Sequence, residues 1–252
     1  YWGPNGMAFF RNVQFRWMPF KGDSRVTFAL ERPGASGDQG DYADRVELSD
    51  IQGNFPVPDF SAEARKAGSF GYVELAGIVR RIEWEDLNDD GVDLSDGTTG
   101  WGLSGSSNLK LGGKTTARLQ AVVGEGIENY MNDAPVDVAI EADDDEEAGF
   151  KGVALPMVGI SAFIDHNWSP KFSSSFGYSQ LEIDNSDGQS ANAFKLGQYA
   201  LANIMYYPTA NVMMGVEGGW IRRENFEDAF DSDNTHVQFS FKYNFSTGIG
   251  TR

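Results

Sequence analysis

The 252-residue chain contains no cysteine. That excludes a disulfide scaffold, a thiolate nucleophile and a Cys-ligated zinc site. It has no uninterrupted apolar run of about 18 residues, so no transmembrane helix is expected. Basic residues are scarce, with 20 Lys+Arg against 37 Asp+Glu and a formal charge of −17. A nucleic-acid surface needs a basic face to displace counterions, so no nucleic-acid partner is expected. Nine prolines and no G-X-Y period exclude collagen, and 13% aromatics exclude disorder. No segment carries a convincing 3.6-residue apolar period. The opening Tyr1-Trp2-Gly3-Pro4 has neither an initiator Met nor a signal peptide, so the chain is expected to begin inside a longer or processed polypeptide.

What is present is period-2 alternation, repeated between turn residues. The clearest case is Thr235–Phe245, with Val237, Phe239, Phe241, Tyr243 and Phe245 on one face and His236, Gln238, Ser240, Lys242 and Asn244 on the other. Similar segments centre on Phe15, Phe28, Leu75, Leu103, Leu119 and Val216, although Ile78 interrupts one of them. Weaker strands fall near 59–66, 157–167, 172–183 and 196–206. This makes about eleven strands. Short connections such as Gly68-Ser69-Phe70-Gly71 and Gly112-Gly113-Lys114 alternate with long ones at about 33–58, 85–99, 125–152, 184–194 and 224–234. The pattern is a meander of hairpins, with short turns at one end and long loops at the other.

Two architectures fit such a meander. A soluble sandwich buries the apolar face. A membrane barrel turns that face to lipid and lines a wet lumen with the polar one. Strands of 9–13 residues, a polar face rich in Ser, Gln, Asn and Gly, and aromatic strand ends such as Trp101, Tyr206 and Trp220 favour the barrel. The expected fold is therefore all-β: an antiparallel up-and-down transmembrane β-barrel over residues 1–245, with a short tail at 246–252.

Charge separates by element. Most of the 37 acids fall in the five long loops, whereas nearly all bases fall in strands and short turns. Arg16, Arg25, Arg80, Lys110, Arg118, Arg223 and Lys242, with Glu217 among them, are expected to line the solute path. Rings of cations favour anions. The bland alternative is that they pair with Glu31, Glu63, Glu74 and Glu217 and merely keep the wall solvated.

Asp86-Leu87-Asn88-Asp89-Asp90-Gly91 resembles the start of a calcium loop, whose oxygen ligands would be Asp86, Asn88, Asp90 and Asp93. Position 12 is Gly97 instead of Glu, and a solvated hairpin loop fits as well. The run Asp143–Glu147 could gather divalent cations beside lipopolysaccharide or simply be solvated. No catalytic constellation stands out. His166 and His236 are isolated, and Gly102-Leu103-Ser104-Gly105-Ser106 lacks the second glycine of a nucleophile elbow.

Four stretches carry a family resemblance. They are Gly3-Pro4-Asn5-Gly6 with Arg11–Trp17, Pro58-Asp59-Phe60 followed by Val73–Gly77, Gly124-Glu125-Gly126-Ile127 followed by Tyr130 and Asn132-Asp133, and Gly215–Gly218 with Trp220 and Arg222–Asn225. In this order they resemble DcaP-like outer-membrane porins. The closing Val237…Phe245 alternation resembles the strand signal read by the barrel-assembly machinery, although Ser246–Arg252 follow it. The resemblance implies a sixteen-stranded trimeric barrel for uptake of small solutes, often dicarboxylates, of which this chain would be the C-terminal two-thirds. It also implies contact with outer-membrane lipid and lipopolysaccharide, with Gly77, Gly105, Ala117, Ala121, Ala200 and Ala202 allowing close wall contacts. Any constriction segment is expected at or before Tyr1. The competing reading is a non-transporting barrel, an adhesin or structural protein acting through its acidic loops.

Overall fold

The computed structural model describes residues 4–88, 91–144, 146 and 148–245. Fifteen strands are described, and eleven of them build one antiparallel wall. In wall order these are β1 (Gln14–Phe20), β2 (Arg25–Glu31), β5 (Asp59–Gly68), β6 (Gly71–Asp86), β7 (Asp96–Lys110), β8 (Thr115–Glu125), β11 (Pro156–Ser169), β12 (Phe172–Ile183), β13 (Phe194–Thr209), β14 (Val212–Asn225) and β15 (Asp231–Tyr243). Each pairs with its chain neighbour in the wall, as the alternation of short turns and long loops requires. Four small strands lie within the long loops. These are β3 (Gly37–Asp38), β4 (Ile51–Asn54), β9 (Val138–Ala142) and β10 (Phe150–Ala154). β4 pairs with the top of β6, while β10, β9 and β3 form a separate three-stranded sheet. Helical structure among the described residues is confined to single 3₁₀ turns at Gly40–Tyr42, Val46–Leu48 and Glu128–Tyr130. Among the described residues, no helix is long and apolar enough to cross a membrane.

The registers place every second side chain on one face along the whole wall. Met157, Gly159 and Ser161 of β11 stand opposite Ile183, Leu181 and Ser179 of β12 and are covered, whereas Val158 and Ile160 between them, and Ile164 further along, are exposed. The exposed face is the apolar one. Val237, Phe239 and Phe241 on β15 are 69%, 79% and 65% exposed. No soluble sandwich leaves such a continuous apolar band in water. Aromatic pairs rim the short-turn end, with Phe172 stacked on Tyr206 at 4.8 Å and Trp17 on Phe28 at 5.6 Å. This is the outward-apolar, inward-polar order of a membrane wall, and it selects the barrel over the sandwich.

The larger apolar cluster among the described residues lies on the inner face toward the long-loop end. Ile127, Met131, Ala139 and Leu155 from the 125–155 loop pack on Val122, Met157, Leu181 and Ile183 of the wall. Ile78, which interrupts the alternation of β6, points inward and packs against this cluster. Glycines at Gly102, Gly124 and Gly159 make room for the loop; a Cβ on Gly102 would lie 2.5 Å from Ile127 Cδ1, and one on Gly159 would lie 2.7 Å from Met131 Cε.

Candidate functional site: the inner face of the wall

Two segments narrow the inner face. The first is the loop from Gly126 to Asp137. The second is Pro4–Phe10, which runs beside it: Ala8 bridges Met131, the Phe9 amide donates to Tyr130 O at 2.9 Å, and the Asn132 amide donates to Met7 O at 2.8 Å. Gly6 sits at φ 72° so close to β12 that a Cβ would overlap Gln180 O. The Ala8 amide donates to Gln120 Oε1 of β8 at 3.0 Å. Both segments lie within the described chain, whereas the constriction expected at or before Tyr1 falls outside the described residues.

A buried ionic knot fastens the loop. Arg80 of β6 is 2% exposed. Its Nη1 donates to Gly126 O at 3.0 Å, Asn129 Oδ1 at 2.7 Å and Asp137 Oδ1 at 3.2 Å; its Nη2 donates to Gly34 O, and its Nε lies 3.3 Å from Asp59 Oδ2. Asp137 Oδ1 also accepts the Asn129 amide at 2.9 Å, and Asp137 Oδ2 accepts the Ser36 amide at 2.8 Å. Tyr130 covers the guanidinium at 5.3 Å and donates its hydroxyl to Asp59 Oδ2 at 2.8 Å. One arginine therefore ties β5, β6, the 33–36 segment and the 126–137 loop together. Arg80 was expected to line the solute path, yet its guanidinium is sealed from solvent. Glu128 is also fully buried beside this knot, and desolvation with the Asp137 charge pushes its carboxyl up to about 9. The acids of this loop are thus not all a solvated rim.

The other expected lumen residues all sit on the inner face. Arg25 Nη2 lies 2.6 Å from Glu63 and 3.1 Å from Glu74; Arg65 Nη1 lies 3.7 Å from Glu74 and its guanidinium covers the Tyr72 ring at 3.6 Å. That group is two cations against two carboxylates, so it adds polarity with little net charge. Arg118 pairs with Asp165 at 2.5 Å but keeps 54% of its side chain exposed. From Asp165 a polar row crosses the wall. Its Oδ1 accepts the Ser175 hydroxyl at 2.7 Å, Asn203 Oδ1 accepts the Ser175 amide at 2.9 Å, and Asn203 Nδ2 donates to Glu217 at 3.2 Å. Asp165, Ser175 and Asn203 were not singled out from sequence, although each lies at a polar position of an alternating strand. Arg16 is exposed and bonds Gln14 at 3.3 Å. Arg223 donates to Asn225 at 2.8 Å and lies over Phe194. Lys110 and Lys242 are exposed near the short-turn end.

The calcium-like stretch uses its carboxylates locally. Asp86 Oδ1 accepts the Asn88 amide at 2.9 Å, Asp86 Oδ2 accepts the Leu94 amide at 3.1 Å, and Asp93 accepts the Ser95 amide at 2.9 Å. Asp90 lies outside the described residues, as do Asp145 and Glu147 of the acidic run and the tail 246–252.

No family model matches the chain, and none of the curated proteins does. Among solved structures, it is similar to the outer-membrane channel DcaP of Acinetobacter baumannii, with a TM-score of 0.78 and 17% identity over 96% of this chain. It has the wall fold of an outer-membrane channel. The chain spans 65% of the length of that DcaP channel. A weaker likeness, TM-score 0.48 at 12% identity over 91% of this chain and 63% of the other, is to OmpT, an outer-membrane protein of Vibrio cholerae. The expected resemblance to DcaP and the expected barrel fold are therefore met by the three-dimensional structure, at 17% sequence identity.

Proposed function

We propose that this chain forms part of the wall of an outer-membrane porin for passive diffusion of small hydrophilic solutes, with a weak preference for anions such as dicarboxylates. The observation that supports this most is the pairing of a lipid-compatible outer face with an inner face that is polar and crossed by docked segments, as a constricted aqueous path needs. Selectivity follows from which inner charges remain available. Arg80 is committed to its knot, and the Arg25–Arg65–Glu63–Glu74 group is balanced. The exposed guanidinium groups of Arg16 and Arg223, with Lys110 and Lys242 nearer the turns, remain to meet a solute, as does the solvent-facing part of Arg118 despite its pairing with Asp165. Guanidinium matches carboxylate by paired hydrogen bonds. Acids on the outer loops that lie beyond the Debye length of about 8 Å are largely screened from the path. Assembly as a homotrimer through flat wall patches around Ala200, Ala202 and Gly218, in contact with lipopolysaccharide, is part of the same proposal.

The test is planar-bilayer recording of the full-length protein in a salt gradient. Stepwise conductance with a reversal potential of anion sign is expected, reduced in Arg16→Ala and Arg118→Ala. A cation preference that survives high salt and is unchanged in both variants would refute the selectivity claim. Absence of any conductance would favour a barrel that acts through its loops.

A further inference from the structure

Glu128 stands in the turn Glu128–Tyr130, fully buried, and neither of its carboxyl oxygens has a hydrogen-bond partner among the described residues. The nearest donors are the backbone amides of Ile127 and Glu128 itself. The charged groups facing it are Asp137, at the entry to β9, and Arg80 of β6. Behind them lie Asp59 of β5, Tyr130 of the same turn and Glu31 of β2. Charge counting decides its state. The single guanidinium is already shared between Asp137 at 3.2 Å and Asp59 at 3.3 Å. Two aspartates already share the one arginine, so the knot has no cation to spare for a third carboxyl. A further ionised carboxyl, closed to water and with no cation or side-chain donor of its own, would be uncompensated, and such a group keeps its proton instead. Once the loop leaves the wall, the same carboxyl meets water and regains ordinary acidity.

We infer that Glu128 is a proton-operated latch on the lumen loop: the docked 126–137 segment holds one proton that the undocked segment releases, so acid fastens the loop across the path and rising pH frees it. This rests on the porin reading. The direction follows from linkage. The docked state binds the extra proton, so raising pH favours the undocked state. Between the ordinary carboxylate range and about 9, where the docked Glu128 itself titrates, the undocked-to-docked ratio should rise tenfold per pH unit, then level off.

The full-length protein in planar bilayers provides the test. The ratio of time in the wider to the narrower conductance state is recorded from pH 5 to pH 9 for the wild type and for Glu128→Gln, which keeps the shape but cannot ionise. The logarithm of the ratio is expected to rise with a slope approaching one in the wild type. It should be flat in Glu128→Gln, with the narrow state favoured. Every other ionisable side chain is retained in the variant, so it isolates the carboxyl. Hydrogen exchange of the 126–137 amides, corrected for intrinsic rates, follows the same transition without current. A flat wild-type response, or a Glu128→Gln protein that keeps the wild-type slope, would overturn the latch. A protein that passes no current overturns the porin reading, and the exchange comparison still decides the latch.

Discussion

Replacing Arg80 with alanine is the sharpest probe of how the loop is held. The side chain is fully buried and serves two carboxylates and three oxygen acceptors besides. Removing it leaves Asp59 and Asp137 as buried charges without a cation. Breaking a buried pair from one side costs about 3–5 kcal/mol. The wall can escape part of that loss by releasing the loop, so the full effect should appear in loop docking, not in unfolding of the barrel. At 1.4 kcal/mol per factor of ten, 3 kcal/mol is a loss of protection of about a hundredfold or more in the Gly126–Asp137 amides. Hydrogen exchange measured by mass spectrometry at neutral pH reads this directly. Arg118→Ala is the internal comparator. Its ion pair is at 2.5 Å, shorter than any contact Arg80 makes to a carboxylate, but its side chain is 54% exposed and solvated. Its removal should change stability by no more than about 1 kcal/mol. If Arg80→Ala kept wild-type protection in the loop, or lost no more than Arg118→Ala, the knot would not be what fastens the segment.

Other outcomes follow from the same geometry. Phe239→Arg puts a charge in the middle of the outward band and should destabilise the folded barrel by about 2–4 kcal/mol in denaturant titrations from lipid vesicles, whereas Ser240→Arg, one residue on and facing inward, should be nearly silent. Gly71 takes φ 113° in the tight turn between β5 and β6, where a Cβ would collide with Asn108 O. Gly71→Ala should therefore cost about 1–3 kcal/mol and lower the yield of heat-modifiable folded species on gels. Gly6→Ala should displace Pro4–Phe10 from β12 and raise single-channel conductance while leaving the melting temperature of the wall within a few degrees. An unchanged conductance would show that this segment does not narrow the path.

The wall was legible because its signal is local. Alternation along Val237–Tyr243 or Ala117–Val123 states both the strand and its two faces, since the side-chain period and the pleat share one rule. The family resemblance was carried by short ordered motifs, and they led to the fold that the structural comparison also finds. The four small loop strands were not legible. Segments of two to five residues carry too few alternations, and β3 and β9 pair in parallel across a hundred residues, a distance no local pattern reports. The fate of Arg80 was hidden for the same reason. At its own position it looks like any inward cation, and what sets it apart is Asp137, 57 residues away. One clue was available. Asp137 lies between Val136 and Val138 at the entry to an apolar strand, where a solvated acid would be out of place. Glu128 offered no such contrast.

The ordering of contacts also bears on how the molecule assembles. Every wall strand pairs with its nearest wall neighbour in the chain, through turns of a few residues on one side, so hairpins can add one after another with little loop-closure entropy. The Arg80 knot is of another kind. It needs residues 34, 59, 80, 126 and 137 in one place, after β5–β8 and β11 have fixed the surface on which the loop rests. The wall is therefore a scaffold that can exist with its interior still open. Closing the interior is expected to follow formation of the barrel and to be sensitive to different residues.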